Sequence, residues 1–525
     1  MEYIVKYTGD IFSLGYPTEL LDAQFAILEL GDQDPEYLLE YPQVTSYEPS
    51  RRISGLASRE GGPMDRQSMD AACIPPVWRE YGLTGQGVLV GLVDSGIDLN
   101  HPEFQGEEGQ SRVVALWDMT AQGTPPAGFR SGAFYSEAEI AAGQVPDTMS
   151  QSGHGTAVAA VAAGRSGVAP GASIAMVKLP SARTTDIMRA VKFLLDQAEE
   201  RGMPCVINLS YGTNCGSHWG QTLFESYIDQ SAQRGRSVIV CAAGNEGSGA
   251  HHYYGRLTEN GVLDVEFTVS TQREQICLSL WKNFIDEAAF ELVLPNGQAT
   301  GLLLEGTRTL RFGSVRAAVF YSVPTHYSVS QEMLCLLDGP PGGMDGLWKL
   351  RCYGGSISDG RFNVWLPTME EVGDRTAFLQ PTPDLTITLP ATAMYPISVG
   401  GFRPDTGTVS PFSGRGVQDC AGRTLLDLAA PAEGVRSAKA GGGYDAFTGT
   451  SMAAPFVSGA AALMMEWGVV RGNDRLLYNQ RVKAFLCKGA LRSAFLTYPN
   501  AQWGYGRLNL CATMNDLVNH LERGL

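Results

Sequence analysis

The chain has 525 residues, 44% hydrophobic and 18% charged, which supplies ample apolar material for globular cores and excludes a largely disordered chain. Lys and Arg total 39 against 55 Asp and Glu, and the resulting −16 argues against a protein that grips a nucleic-acid backbone. No apolar run approaches the ~18 residues of a membrane span: the best candidate, around Ala460 to Met465, is stopped by Glu466, so no membrane partner is expected.

In chain order, residues 1 to about 60 come first. The start, Met1 to Lys6, mixes charges with apolar residues and lacks a long apolar run, so cytoplasmic synthesis without a secretory signal is expected. Gln24 to Leu30 alternates as a strand does. Asp34, Pro35 and Glu36 supply an N-cap, a first-turn proline and a first-turn acid for a short helix through Glu40. Val44 to Tyr47 is a second extended run. The pattern predicts a small strand–helix–strand unit, with a polar, Gly-containing tail from Ser54 to Gly62.

From about residue 70 to 250, short and nearly continuous apolar strands (Gly87 to Val93, Ser173 to Leu179, Cys205 to Leu209, Ser237 to Ala242) alternate with helical stretches such as Thr185 to Arg201 and Gln221 to Arg234. Strands apolar on both faces and separated by helices predict an α/β domain with a parallel sheet covered on both sides. Residues from about 255 to 370 break into short runs between Gly, Pro and Asn turns, which predicts an all-β insert. After about residue 385 the α/β texture returns, with helices expected over Ser451 to Trp467, Gln480 to Gly489 and Cys511 to Glu522. The ten cysteines are scattered with no CxxC pair, and are expected to be buried thiols of a reducing compartment rather than disulfides or zinc ligands.

Three blocks carry chemistry. Strand Val88 to Val93 ends in Asp94, and the carboxyl end of a parallel strand is the functional edge of an open α/β sheet. An acid there suits the task of orienting an imidazole. His154 stands between Gly153 and Gly155, ahead of a small-residue helix through Ala163. Ser451 lies in Gly449 to Gly459 (GTSMAAPFVSG), at a predicted helix N-terminus where unpaired N–H groups favour a developing oxyanion. Pro455 cannot donate to the carbonyl of Ser451, so that turn is locally open.

These blocks, in the order Asp, His, Ser, closely resemble the catalytic blocks of the subtilisin-like serine proteases. Ala242 to Gly247 (AAGNEG) resembles the family's oxyanion segment, which implies that Asn245 is a side-chain donor and that Ala243 and Gly244 line the substrate site. Asn208 to Gly212 resembles the cleft-lining strand, implying that Ser210, Tyr211 and Gly212 bind a peptide as an added antiparallel strand. Glu246 is expected near the first specificity pocket. His251 and His252 lack an acid or Cys at ligand spacing, so no metal is expected there; family members often bind calcium in surface loops, but no dense acidic loop picks out such a site, and no cofactor is expected.

The layout further resembles the Csp proteases of spore germination. These features are the signal-less start, the long Asp-to-His segment, the β insert between Asn245 and Ser451, His251-His252, and the stretch Asp359 to Pro367. That resemblance implies a pro-segment over 1–57, a catalytic domain split into 58–254 and 376–525, and a jelly-roll insert over 255–375. It also implies a pro-segment that the enzyme removes itself; the extended, polar tail puts the cut between about Pro49 and Gly62, where Arg51-Arg52 is one candidate mark and an exposed loop open to any protease is the alternative. A protein substrate such as the proform of a cortex-lytic hydrolase, and an association with spores, follow from the same likeness. The alternatives are a general degradative protease and a non-catalytic binding or signalling protein on the same fold.

Overall fold

Strands with no polar face can only lie inside a sheet covered on both sides, and here they form its centre. A nine-stranded, mainly parallel sheet runs in the order Thr408–Val409, Ile397–Arg403, Ser237–Ala242, Cys205–Leu209, Leu89–Asp94, Ser173–Lys178, Val113–Asp118 and Ala133–Ser136. Leu428–Pro431 joins it beside Ile397–Arg403. The computed structural model describes residues 1–31, 33–56, 59–60, 67–146, 153–180, 182–325, 328–417 and 423–522.

One face of the sheet packs on helices His154–Ala163 and Thr450–Met465, and the other on Thr184–Glu200 and Leu223–Ala232. Thr450–Met465 is apolar all round, which suits a helix at the centre of a core. With the turn that follows it, through Val470, it is long and apolar enough to cross a membrane, yet it is largely buried in the protein. Glu466 closes it. Its carboxylate accepts the N–H groups of Thr84 and Gly85 at 2.7 and 2.6 Å and pairs with Arg471.

The N-terminal unit is richer than the predicted strand–helix–strand. It is a four-stranded antiparallel sheet in the order Thr18–Leu20, Phe25–Glu29, Glu2–Tyr7, Val44–Pro49, with two 3₁₀ turns at Ile11–Leu14 and Pro35–Glu40. The strand Glu2–Tyr7 escapes periodicity because it is covered on both faces. Tyr3, Val5 and Tyr7 face the unit's own core, while Ile4 joins Phe25 and Ile27 against helices Thr184–Glu200 and Leu223–Ala232. Polar anchors hold the same face: Arg189 of helix Thr184–Glu200 pairs with Glu2 and Glu19 at 2.7 and 2.5 Å. Glu48 accepts the N–H of Leu223, capping the helix that starts there.

The segment His252–Arg256 to Ala377–Phe378 forms two antiparallel sheets of six and four strands that enclose a core of their own. Strands Gly306–Phe312 and Ser330–Asp338 belong to the six-stranded sheet, and Gly313-Ser314 and the run Gly339 to Gly343 turn the chain after them.

The cysteine expectation is corrected. Cys73 is bonded to Cys511 and Cys215 to Cys277, across 438 and 62 residues of sequence. Pairs that distant are brought together by the fold alone, so spacing could not announce them. Cys205, Cys241, Cys335, Cys352 and Cys487 are buried thiols, and Cys420 lies outside the described residues. The cysteine pattern therefore no longer argues for a reducing compartment.

Candidate active site

Asp94 ends a central strand with its side chain fully buried, and its Oδ1 lies 2.8 Å from Nδ1 of His154. The approach depends on Gly155. A Cβ at that position would sit 2.1 Å from the Gly96 carbonyl oxygen and 3.0 Å from Cβ of Asp94. Only glycine lets the helix begin so close to the strand. Burial of the His154 ring disfavours its charge. The Asp94 carboxylate, a hydrogen bond to the Leu56 backbone and the charge of Glu370 outweigh that, and hold its pKa above the ordinary imidazole value.

Ser451 opens the buried helix and is inaccessible to solvent. Its carbonyl accepts from the Ser210 hydroxyl at 3.3 Å; Ser210 accepts from Asn208, and Ser458 donates back to Asn208. Ser451 is thus tied to the strand that leads into Ser210. Asn245 faces it from the neighbouring strand end: its Oδ1 accepts the Thr450 N–H at 2.9 Å, which fixes the amide orientation and turns Nδ2 away from that N–H. Nδ2 donates to Glu370 Oε1 at 2.9 Å.

The cleft between these groups is filled by the chain's own tail. Ser54–Gly55 pairs antiparallel with Tyr211–Gly212, and the Leu56 N–H donates to the Ser210 carbonyl at 3.0 Å. On the other side, Ile53 N–H donates to Ala182, and Thr184 N–H to the Arg51 carbonyl. The tail is therefore the middle strand of three, held on both edges by backbone groups that accept any sequence. The Leu56 side chain is fully buried, and its backbone reaches both Ser210 and His154. Beyond the cleft, Arg59–Glu60 pairs with Phe447 and Thr448, four and three residues before Ser451.

Of the substrate residues expected from sequence, Ser210, Tyr211 and Gly212 touch the tail directly. Ala243 and Gly244 follow strand Ser237–Ala242, and their carbonyls accept the N–H groups of Thr388 and Gly414. Glu246 is not open to a pocket. Its carboxylate accepts from Met369 N–H at 2.8 Å and lies 2.5 Å from Nδ1 of His251. His252 and His218 stack on the two faces of Trp365, at 4.7 and 4.1 Å between ring centres. The dibasic pair is not at the chemical centre either, since Arg51 is buried in an ion pair with Glu332.

Sequence reasoning did not pick out Leu56, Thr388 or Glu370. Leu56 is the one large apolar residue between Ser54 and Gly62, and that was the available signal. Glu370 carries none, because it closes the insert and only the fold brings it to Asn245.

A buried Asp–His pair, a serine at a helix N-terminus, an amide donor beside it and a backbone-lined strand groove define a serine hydrolase that takes extended peptide. The comparisons agree with that class. A model of the subtilase family matches residues 85–276 and 372–506, and the chain belongs to that family. The unmatched stretch between falls in the β insert. The chain is similar to the CspB protease of Clostridium perfringens, whose structure it matches at 36% identity and TM-score 0.78 over 87% of this chain and 98% of that one. It is 27% identical to the subtilisin-like protease PopC of Myxococcus xanthus over 44% of this chain and 49% of the relative. It is 28% identical to thermitase of Thermoactinomyces vulgaris over 38% and 59%. The chain spans about half the length of the relatives it matches first.

Proposed function

We propose that the protein is a serine endopeptidase whose first substrate is its own tail, cut between Leu56 and Ala57. The observation that carries this reading is the strand pairing of Ser54–Gly55 with Tyr211–Gly212, which brings the Leu56 N–H onto Ser210 and its backbone onto His154. In this reading Ser451 Oγ attacks the Leu56 carbonyl carbon while His154 takes its proton, and Asp94 holds the imidazole and stabilises its charged form. The oxyanion is held by Asn245 Nδ2 and the Ser451 N–H. His154 then returns the proton to the Ala57 amine as the C–N bond breaks, and water releases the acyl group.

The N-terminal unit is then a pro-segment over residues 1–56, one residue shorter than the sequence implied, and an intramolecular chaperone. The Glu48 cap and the Glu2 and Glu19 pairs with Arg189 remain intact after the cut, so the fragment stays seated and covers the site. The two antiparallel sheets of the insert are read as the jelly roll of the Csp group, and the likeness to CspB supports activation of a protein precursor such as a spore cortex-lytic hydrolase. Association with spores belongs to the same proposal. Intact-mass measurement tests it. Purified protein should give fragments ending at Leu56 and starting at Ala57, whereas Ser451→Ala should remain one chain. Clipping of Ser451→Ala at the same bond would overturn self-processing.

A further inference from the structure

The amide that this reading assigns to the oxyanion is not open to a substrate alone: a carboxyl group sits on it. Glu370 lies in the one-turn helix Met369–Val372 that leaves the β insert, and its Oε1 accepts from Asn245 Nδ2 at 2.9 Å. The helix cannot drift. Met369 N–H is fixed on Glu246 Oε1, Glu246 is fixed on His251, and the Thr368 hydroxyl bonds Ser54 of the tail at 2.9 Å. Glu370 as a whole is half-buried, but its Oε2 is sealed from solvent and has no hydrogen-bond partner among the described residues. A buried acceptor without a donor is costly as a carboxylate and far less so as a neutral acid, which carries its own proton.

We propose that Glu370 gates the oxyanion hole: as a carboxylate it holds the Asn245 amide and repels a developing oxyanion, and as a neutral acid it lets the oxyanion form. This rests on the reading of Asn245 as an oxyanion donor. The negative charge of Glu370 would lie beside the point where the tetrahedral intermediate becomes negative. Like charges so close, in a site shielded from water, oppose each other far more strongly than in solution.

The charged neighbours fix the range in which the gate works. Burial, and then the Glu246 charge, push the Glu370 carboxyl up to about 7, against the lowering effects of the Asn245 hydrogen bond and His251. Glu371, next in the chain, is likewise pushed to about 7 by burial, while Arg273 and Arg52 pull it down. His154 faces Glu370 across the site, and Glu370 helps to raise its pKa. Productive protein therefore has His154 neutral and Glu370 protonated, which gives a rate that rises and then falls around neutrality. A triad with no such acid shows only the rising, His-controlled limb.

The test is the pH dependence of the first-order rate at which the refolding full chain cuts its own Leu56–Ala57 bond, followed by intact mass. Wild type should lose activity above about pH 7. Glu370→Gln should remove that alkaline limb and raise the rate at pH 9 by up to about 100-fold, two pH units above the titration. An unchanged alkaline limb in Glu370→Gln overturns the gate. Absence of an alkaline limb in wild type overturns it without any variant, should Glu370→Gln fold poorly. Ser451→Ala separates the two readings: residual hydrolysis by that variant refutes the triad, whereas an inactive Ser451→Ala with an unaltered Glu370→Gln profile refutes the gate alone.

Discussion

Arg51 and Glu332 form a two-pronged ion pair, Nη1 to Oε1 at 2.7 Å and Nη2 to Oε2 at 2.8 Å, with both residues buried between the tail and the β insert. Ser279 donates to the same carboxylate, and Arg51 also reaches the Cys215 carbonyl and lies 3.4 Å from Glu48. One planar guanidinium thus fastens the N-terminal unit, the cleft loop and the insert to each other. A buried pair of this kind contributes little over an apolar substitute, but removing one member costs about 3–5 kcal/mol, because a buried charge is left alone. Glu332→Ala should therefore loosen the processed N-terminal fragment. The fragment should co-elute with wild type on size exclusion and separate from Glu332→Ala, while Arg51→Met with Glu332→Leu should hold it better than either change alone.

Leu56 fixes the register of the tail. Its side chain is fully buried, so Leu56→Asp would bring a carboxylate into an apolar pocket and should slow cleavage of the Leu56–Ala57 bond by at least 100-fold, about 2.7 kcal/mol in the barrier. Gly55→Ala should be tolerated, since a Cβ there would meet only the Tyr211 ring at 3.5 to 3.7 Å, an ordinary contact. Timed mass spectra after refolding check both. Full-speed cutting of Leu56→Asp at the same bond would refute the register.

Gly155 holds no ligand yet should be as sensitive as the triad. Gly155→Ala would force a methyl group to 2.1 Å from the Gly96 oxygen and push His154 off Asp94. A misplaced base loses on the order of 10² or more in rate. Activity should fall much further than the melting temperature, because the sheet beneath does not depend on that contact. Thermal unfolding and peptide hydrolysis measured together decide the point.

Two imidazoles make the fold acid-sensitive. Burial lowers His218 to about 3 and His252 to about 4, so both are neutral beside Trp365. The unfolded chain takes up these protons near pH 6.5, whereas the folded chain takes them up only near 3 to 4. Stability supplied by the pair is therefore complete above about pH 6.5 and lost as pH falls, at about 1.4 kcal/mol per pH unit for each group. His154 and His251, whose pKa values are raised, act in the opposite direction. The difference between wild type and the His218→Gln, His252→Gln double variant isolates the effect. Wild type should lose melting temperature more steeply from pH 7 to 5, and equal slopes would refute it.

The strands apolar on both faces were legible because a buried parallel strand needs nothing from its neighbours to be recognised. Cys205–Leu209 and Ser237–Ala242 lie where the pattern put them. Glu2–Tyr7 was not legible, since its two faces serve two different cores and no period of 2 emerges. In the site, Asp94, His154, Asn245 and Ser451 each carry a local signature of glycines, strand ends and helix starts. Glu332, Thr388 and Glu370 act only through what the fold brings against them. The dibasic pair drew attention by its charge, but the cleft holds Leu56, which is recognised by burial and backbone pairing.

The β insert, described above as two sheets with a core of their own, has a consequence for synthesis in one direction. Asn245 and Thr450, whose hydrogen bond orients the amide beside Ser451, lie 205 residues apart in the chain. At about 5–20 residues per second a ribosome needs roughly 10–40 seconds to pass from one to the other. When the insert ends at Phe378, Thr450 is still 72 residues away; the insert can then bury its own apolar side chains, while the parallel sheet still lacks Ile397–Arg403 and the helix that carries Ser451. The nascent chain therefore lacks Ser451, and on the proposed reading stays inert toward its neighbours, until the helix Thr450–Met465 has been made. A chain arrested before Thr450 should resist limited proteolysis across the insert and remain cleavable in the strands of the unfinished sheet.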